Sequence, residues 1–194
     1  MSTKKTSIWF IINPISGTRR KKKIPTLIRK YLNHDKFTYK LFYTQYKGHA
    51  GEITRDAVAK EIEIVCAVGG DGSAHEVGVN LIHTDSKLAI IPRGSGNGIS
   101  NHMGIPNRTI RAIRCLNKCF SISVDTVAVN NSHFLGIGGY GIDAFIAKKF
   151  DRNKKRGLKT YIKHTVKEFY KFKPIQVEIE IEEKSTKTSF QHNS

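Results

Sequence analysis

The chain has 194 residues, enough to bury a core, and its 33 Lys and Arg against 16 Asp and Glu give a formal net charge of +17. That charge indicates an anionic partner, either nucleotide phosphates, nucleic acid or an acidic membrane surface. No run of eighteen apolar residues and no signal-peptide pattern occurs, so we expect a cytoplasmic protein. The three cysteines contain no CxxC pair, which argues against a structural metal.

The first part of the chain alternates apolar strands with helices, the order typical of a parallel α/β sheet. The predicted strands cover residues 7–12, 37–44, 63–68 and 88–92. The predicted helices run from the basic block 19–23 to about residue 33, then over 48–60, from the turn after the third strand to about 82, and over 108–120. Thr44 ends the second strand, at the edge where open α/β sheets gather ligands.

The third strand runs into Gly69-Gly70-Asp71-Gly72-Ser73, a glycine turn that we expect to open a helix. Glycines let backbone approach an anion closely, and a helix start supplies free N–H groups and positive potential, so the turn predicts a phosphate site. Ser73 and Glu76 have the spacing of a capping box. A carboxylate at Asp71 repels phosphate, so we expect it to orient a hydroxyl, accept a proton or meet a metal ion.

A second glycine turn, Gly94-Ser95-Gly96-Asn97-Gly98, follows the fourth strand. Right-handed crossovers bring both turns to the same edge of a parallel sheet, which favours a nucleotide site there. Neither turn is a Walker A loop, because no Gly-Lys-[Ser/Thr] follows, and the second has only part of the GxGxxG pattern.

After about Phe120 the pattern changes to strand-like runs at 121–130 and 133–137, joined by a hairpin signal, so we predict a domain boundary near residue 120. A helix over 142–150, an amphipathic helix between 158 and 169 and an alternating strand over 175–181 follow. The segment from Lys148 to Lys173 is strongly basic.

Taken together, these motifs resemble the diacylglycerol kinase catalytic-domain superfamily, which includes bacterial lipid kinases and sphingosine kinases. The matching segments are Asn13-Pro14-x-Ser16-Gly17, Thr44, Gly69-Gly70-Asp71-Gly72-Ser73-x-x-Glu76, Gly94-Ser95-Gly96-Asn97 and Gly139-Tyr140-Gly141-Ile142-Asp143-Ala144. The resemblance implies a three-layer α/β nucleotide-binding domain with a parallel sheet over residues 1–120. It implies the start of a β-rich lipid-substrate domain, which is incomplete, over 121–194.

The resemblance also implies roles for individual residues. Asp71 takes the catalytic position, as general base or as organiser of Mg²⁺ and phosphates. The implied nucleotide-binding residues are Asn13, Ser16, Gly17, Thr44, Gly69, Gly70, Gly72, Ser73, Glu76, Gly94, Ser95, Gly96 and Asn97. The metal ligands are unknown, since the family's metal site lies in later strands.

The implied activity is transfer of the γ-phosphoryl group of ATP to the hydroxyl of a lipid alcohol of diacylglycerol or sphingoid type, with Mg²⁺. The basic segment 148–173 predicts peripheral association with an anionic membrane, and a homodimer is compatible with the sequence. The resemblance implies further strands beyond Ser194, so a truncated, inactive ATP-binding remnant is the first alternative. An NAD kinase and a basic nucleic-acid-binding module are the others, although no specific nucleic-acid-binding signature occurs.

Overall fold

A computed structural model describes residues 4–16, 23–130, 132–136, 180–181 and 184–185. The chain divides into two compact units, residues 1–137 and residues 138–194. The predicted domain boundary near residue 120 stays a prediction. The predicted helices between residues 142 and 169, the basic segment 148–173 and the motif at 139–144 lie outside the described residues.

The first unit contains a four-stranded, fully parallel sheet in the order β2-β1-β3-β4. Its strands are β1 Thr6–Ile12, β2 Phe37–Tyr43, β3 Ile64–Gly69 and β4 Lys87–Pro92. Its helices are α1 Ile24–Tyr31, α2 His49–Ala59, α3 Asp71–Val79, α4 Gly98–His102 and α5 Thr109–Leu116. The predicted parallel α/β fold is confirmed.

Side chains from the helices cover both faces of the sheet, which makes three layers. On one face α1 and α5 supply Ile24, Ile28, Ala112 and Ile113, packed against Phe10 and neighbouring strand residues. On the other face α2 and α3 supply Ala50, Ile53, Ala57, Ala74 and Val77, packed against Trp9 and Ile11. Because β1 and β3 are buried on both faces, they read in the sequence as unbroken apolar runs.

Helix α1 begins at Ile24, and its N-cap is Lys23, the last residue of the basic block. Pro25 in the first turn suits a helix start, because its missing N–H has no intrahelical acceptor there. Arg29 and Lys30 in the last turn complement the negative end of the helix dipole.

A small antiparallel hairpin follows α5 in the first unit, with β5 Val127–Val129 paired to β6 Ser132–Phe134. The predicted change to antiparallel pairing is confirmed, but the strand predicted over 121–130 is wrong in length. Ile122 and Val124 are exposed, and no strand among the described residues pairs with residues 121–126. In the second unit, β7 Glu180–Ile181 pairs antiparallel with β8 Lys184–Ser185.

Candidate nucleotide-binding site

The carboxyl ends of the four parallel strands form one continuous edge. Backbone hydrogen bonds extend the sheet past the last strand residues, from Thr44 N to Ile12 O at 3.0 Å, from Asn13 N to Val68 O at 3.1 Å and from Arg93 N to Gly69 O at 2.6 Å. The strand order reverses between β1 and β3. Open α/β sheets bind ligands outside the carboxyl ends of the strands at such a switch point, so the crevice is expected beside Asn13 and the turn after β3.

The turn after β1 is held by side chains that fold back on its own backbone. Asn13 Oδ1 accepts a hydrogen bond from Ile15 N at 3.0 Å, and Ser16 Oγ donates to Asn13 O at 3.3 Å. Asn13 Nδ2 also donates to Ser73 Oγ at 3.3 Å. Asn13 and Ser16, which the family resemblance assigns to the nucleotide, therefore shape the turn and connect it to the next loop. Gly17 lies outside the described residues.

The first glycine loop leads from β3 directly into α3. The helix begins at Asp71, with Gly70 as its N-cap, so the prediction that Ser73 caps the helix is wrong. Ser73 lies in the first turn, where its backbone N–H donates to Gly70 O at 3.0 Å. The amides of Asp71 and Gly72 precede that donor at the helix start, which is the arrangement that suits an anion.

Gly69 is required by close packing rather than by an unusual backbone angle. A Cβ at this position would overlap the side chain of Ser73 and lie 3.5 Å from Ser16 Oγ. Both serines are buried. Gly69 therefore has no room for a side chain, because the end of β3 meets the turn after β1 and the first turn of α3 at this residue.

Glu76 does not close a capping box with Ser73, because its carboxylate is used elsewhere. Its Oε1 accepts a hydrogen bond from Gly51 N in the first turn of α2, at 3.1 Å. The side chain therefore joins the starts of α2 and α3, which pack on the same face of the sheet. In this structure Glu76 stabilises the packing of α2 against α3.

The second glycine loop is held by a chain of asparagines. Asn97 adopts the left-handed region with φ 55°, and its Oδ1 accepts from Gly94 N at 2.8 Å. Its Nδ2 donates to Asn107 Oδ1 at 3.0 Å, while Asn107 Nδ2 donates to Asn101 Oδ1 at 2.6 Å. Asn101 Nδ2 closes the set by donating to Gly96 O at 3.1 Å. Ser95, in the same loop, is exposed.

Sequence reasoning missed Asn101 and Asn107, whose side chains determine the shape of this loop. The sequence offers a weak signal for them, since asparagine commonly bonds to nearby backbone in turns. The spacing alone does not say which asparagine reaches which carbonyl. The path of the chain between α4 and α5 brings the three amides together.

The two glycine loops touch each other, as expected for turns at one sheet edge. A Cβ on Gly94 would come within 2.5 Å of Gly70 Cα, and a Cβ on Gly70 would lie 3.0 Å from Gly94 Cα. Two backbones approach this closely only where neither residue has a side chain. The pair brings the start of α3 and the segment before α4 into one surface.

The side chain of Asp71 extends from the first loop to the second and is half-buried. Its Oδ1 accepts a hydrogen bond from Ile99 N, in the first turn of α4, at 2.9 Å. A Cβ on Gly96 would lie 3.5 Å from Asp71 Oδ2, so this second oxygen faces the second loop. One carboxylate oxygen thus positions α4, while the other is beside the surface that the two loops form.

The remaining predicted position is Thr44, half-buried at the end of β2 and joined through its amide to β1. Within the described ranges no cluster of three or more metal-ligating side chains occurs. No helix in the described part is long and apolar enough to cross a bilayer. Burial raises the pKa of the Cys66 thiol, which keeps it in the unreactive thiol form, and the three cysteines are free.

Comparison with known proteins decides the family. Residues 7–129, more than half of the chain, match the diacylglycerol kinase catalytic domain. The chain belongs to this family. The resemblance inferred from the motifs is thereby confirmed, and with it a kinase lineage whose named members act on lipids.

Relatives of the kinase domain come from bacteria and yeast. The chain is 28% identical over 134 residues to a diacylglycerol kinase of Bacillus subtilis, covering 68% of this chain and 44% of that protein. It is 30% identical over 137 residues to sphingoid long chain base kinase 5 of Saccharomyces cerevisiae, covering 66% of this chain and 20% of that protein.

A crystal structure of a diacylglycerol kinase from Bacillus anthracis superposes with a TM-score of 0.59 at 27% identity, covering 69% of this chain and 49% of that chain. The kinase-domain chain therefore spans about half or less of the length of these relatives.

Proposed function

We propose that this chain binds ATP at the sheet edge formed by the two glycine loops. We propose further that it acts as an ATP-dependent lipid kinase, which phosphorylates a lipid alcohol. The carrying observation is the contact between Gly70 and Gly94 with the Asp71 carboxylate beside it. Free amides at the start of α3 suit phosphate oxygens, and close backbone approach leaves room for them. We assign Gly69, Gly70 and Gly72 to the phosphates.

In the proposed reaction the lipid hydroxyl oxygen bonds to the γ-phosphorus of ATP while the bond from that phosphorus to the β-phosphate bridging oxygen breaks. ADP leaves, and the hydroxyl proton passes to a base or to water. Such transfers need positioning and charge neutralisation above all. Asp71 is suited to this because Oδ1 is held by Ile99 N, which leaves Oδ2 toward the loops.

We propose the Asp71 carboxylate as a ligand of Mg²⁺ as well. Magnesium in kinases is commonly held by one or two carboxylates together with substrate phosphates and water, and Asp71 would supply one such carboxylate. When bound, the ion would neutralise phosphate charge. A dedicated cage of several protein ligands is not required for this assignment.

We further assign Asn13, Ser16, Gly17, Thr44, Ser73, Ser95 and Asn97 to the walls of the nucleotide site, and Glu76 to their support. The lipid substrate and an anionic membrane surface are the proposed partners. Their predicted basic contact, 148–173, lies outside the described residues. The choice between diacylglycerol and sphingoid acceptors is part of the test.

The test is transfer of label from γ-labelled ATP to vesicles containing diacylglycerol or a sphingoid base, with Asp71→Asn and Asp71→Ala beside the unmodified chain. Asparagine keeps an oxygen acceptor for Ile99 N and removes the charge. We expect label in the lipid phase and at least a roughly 100-fold loss in Asp71→Asn at nearly unchanged thermal stability.

Asp71→Ala separates the chemical from the structural role, because it also leaves Ile99 N unpaired and should unfold at lower temperature. No transfer to any lipid alcohol, with ATP binding retained, would reject the kinase activity and favour the inactive ATP-binding remnant. Label in NAD instead of lipid would favour the NAD kinase alternative.

A further inference from the structure

Two aromatic rings stack at the sheet edge just beyond the end of β2. The rings of Tyr46 and His49 are parallel to within 10°, with centroids 4.6 Å apart. Tyr46 is 56% exposed. One face of its ring meets His49, so the exposed area includes the opposite face.

Hydrogen bonds hold both rings in place. The Tyr46 hydroxyl donates to Glu52 Oε2 at 2.7 Å, and His49 Nδ1 accepts from Gln45 N at 3.1 Å. The bond to Glu52 raises the pKa of the Tyr46 phenol above its ordinary value, because it favours the protonated form that donates this bond. An aromatic face that is already oriented loses little conformational freedom when a planar ligand stacks on it.

The stack lies on the same edge as the glycine loops. Tyr46 follows Thr44, whose amide continues the sheet toward β1, and His49 begins α2. The bond from Gly51 N to Glu76 fixes the first turn of α2 against α3, the helix that starts at the first glycine loop. β2 and β3 are two strand spacings apart, about 10 Å.

We propose that the exposed face of Tyr46, backed by His49, is a stacking platform for the base of the nucleotide whose phosphates lie on the glycine loops. This inference rests on the proposed function, since it places the base of the ATP assigned above. Every nucleobase has a flat π-face, so stacking supplies affinity without demanding one particular base. Glu76 then acts as the positioning residue that sets the spacing between platform and phosphate loop.

The competing explanation is that the stack only stabilises the start of α2 and does not bind a ligand. The experiment therefore compares two ligands, ATP and inorganic tripolyphosphate, by calorimetric titration in the same buffer. The second ligand has the phosphate chain and lacks the base. The variants are Tyr46→Ala, which removes the platform, and Tyr46→Phe, which keeps the ring and loses the bond to Glu52. Phe120→Ala is the matched control, an exposed aromatic beyond the end of α5.

We expect Tyr46→Ala to weaken ATP binding about 10-fold, equivalent to about 1.4 kcal/mol, and to leave tripolyphosphate binding unchanged. Tyr46→Phe and Phe120→Ala should stay within about 2-fold of the unmodified chain for both ligands. Equal loss for both ligands, or no loss for either, overturns the platform but does not overturn the proposed ATP site. An unmodified chain that binds neither ligand overturns the proposed function together with it.

Discussion

The two glycine loops meet at one point but are built differently. The first loop is enclosed by buried groups: Gly69 has no room for a Cβ between Ser73 and Ser16. The second loop is more open, and its shape comes from side-chain amides, chiefly Asn97 and Asn107, that bond to backbone and to each other.

Each loop is therefore sensitive to a different kind of substitution. The first loop depends on steric exclusion and on the helix that it starts, so its geometry is part of the core. The second loop depends on individual hydrogen bonds near water, each of which contributes roughly 0.5–1.5 kcal/mol. Substitutions should therefore cost most where the loops touch and least in the asparagine chain.

The largest effect is expected for Gly94→Ala. Its Cβ would come within 2.5 Å of Gly70 Cα and 2.8 Å of Asn97 Oδ1, and a backbone atom cannot rotate away. We expect a loss of about 1–3 kcal/mol of unfolding free energy, since overpacking of this kind forces backbone shifts. ATP binding should fall with it, because the two loops are pushed apart. Urea unfolding and ATP titration measure the two effects.

Gly96→Ala is the control for Gly94→Ala. It lies in the same loop, but its Cβ would rest 3.5 Å from Asp71 Oδ2, an ordinary contact distance. Its unfolding free energy should stay within about 0.5 kcal/mol of the unmodified chain. If Gly94→Ala were equally stable, the close contact between the loops would not be a constraint of the fold.

The next largest effect is expected for Gly72→Ala, as a loss of ATP affinity without a loss of stability. Nothing lies within 4 Å of a Cβ at this position, and alanine in a helix is favoured over glycine by roughly 0.5–1 kcal/mol. Stability should therefore hold or rise. ATP affinity should fall about 10-fold if phosphate rests against this backbone, because the methyl group occupies its place.

Gly104→Ala gives the reverse pattern and is the matched control. Gly104 also has open space around it, but its φ of +66° disfavours a side chain. It should lose about 1 kcal/mol of stability and keep its ATP affinity. Unchanged ATP affinity in Gly72→Ala would exclude Gly72 from the phosphate contact.

The same contrast explains how much the sequence could predict. Buried parallel strands such as β1 and β3 were predictable because unbroken apolar runs leave few other structures open. The convergence of both glycine turns on one edge also followed, from the topology that such strands impose. These features depend on local pattern and on general rules of chain connection.

Individual partners were not predictable. The capping box between Ser73 and Glu76 failed because α3 starts at Asp71, one turn earlier than the pattern suggests, and Gly51 offers Glu76 another donor. The bond from Ile99 to Asp71 joins residues that are 28 positions apart. Such contacts depend on three-dimensional proximity, which spacing along the chain does not contain.

We expect the smallest effect for Asn107→Ala, which tests the second loop most directly. The change removes the acceptor for Asn97 Nδ2 and the donor to Asn101 Oδ1. Both bonds are exposed, so we expect a loss of about 0.5–1 kcal/mol and faster amide hydrogen exchange confined to residues 94–98. Asn107→Asp keeps the acceptor for Asn97 and should show a smaller increase in exchange at Gly94. Unchanged exchange in Asn107→Ala would mean that Asn97 alone shapes the loop, through its bond to the Gly94 amide.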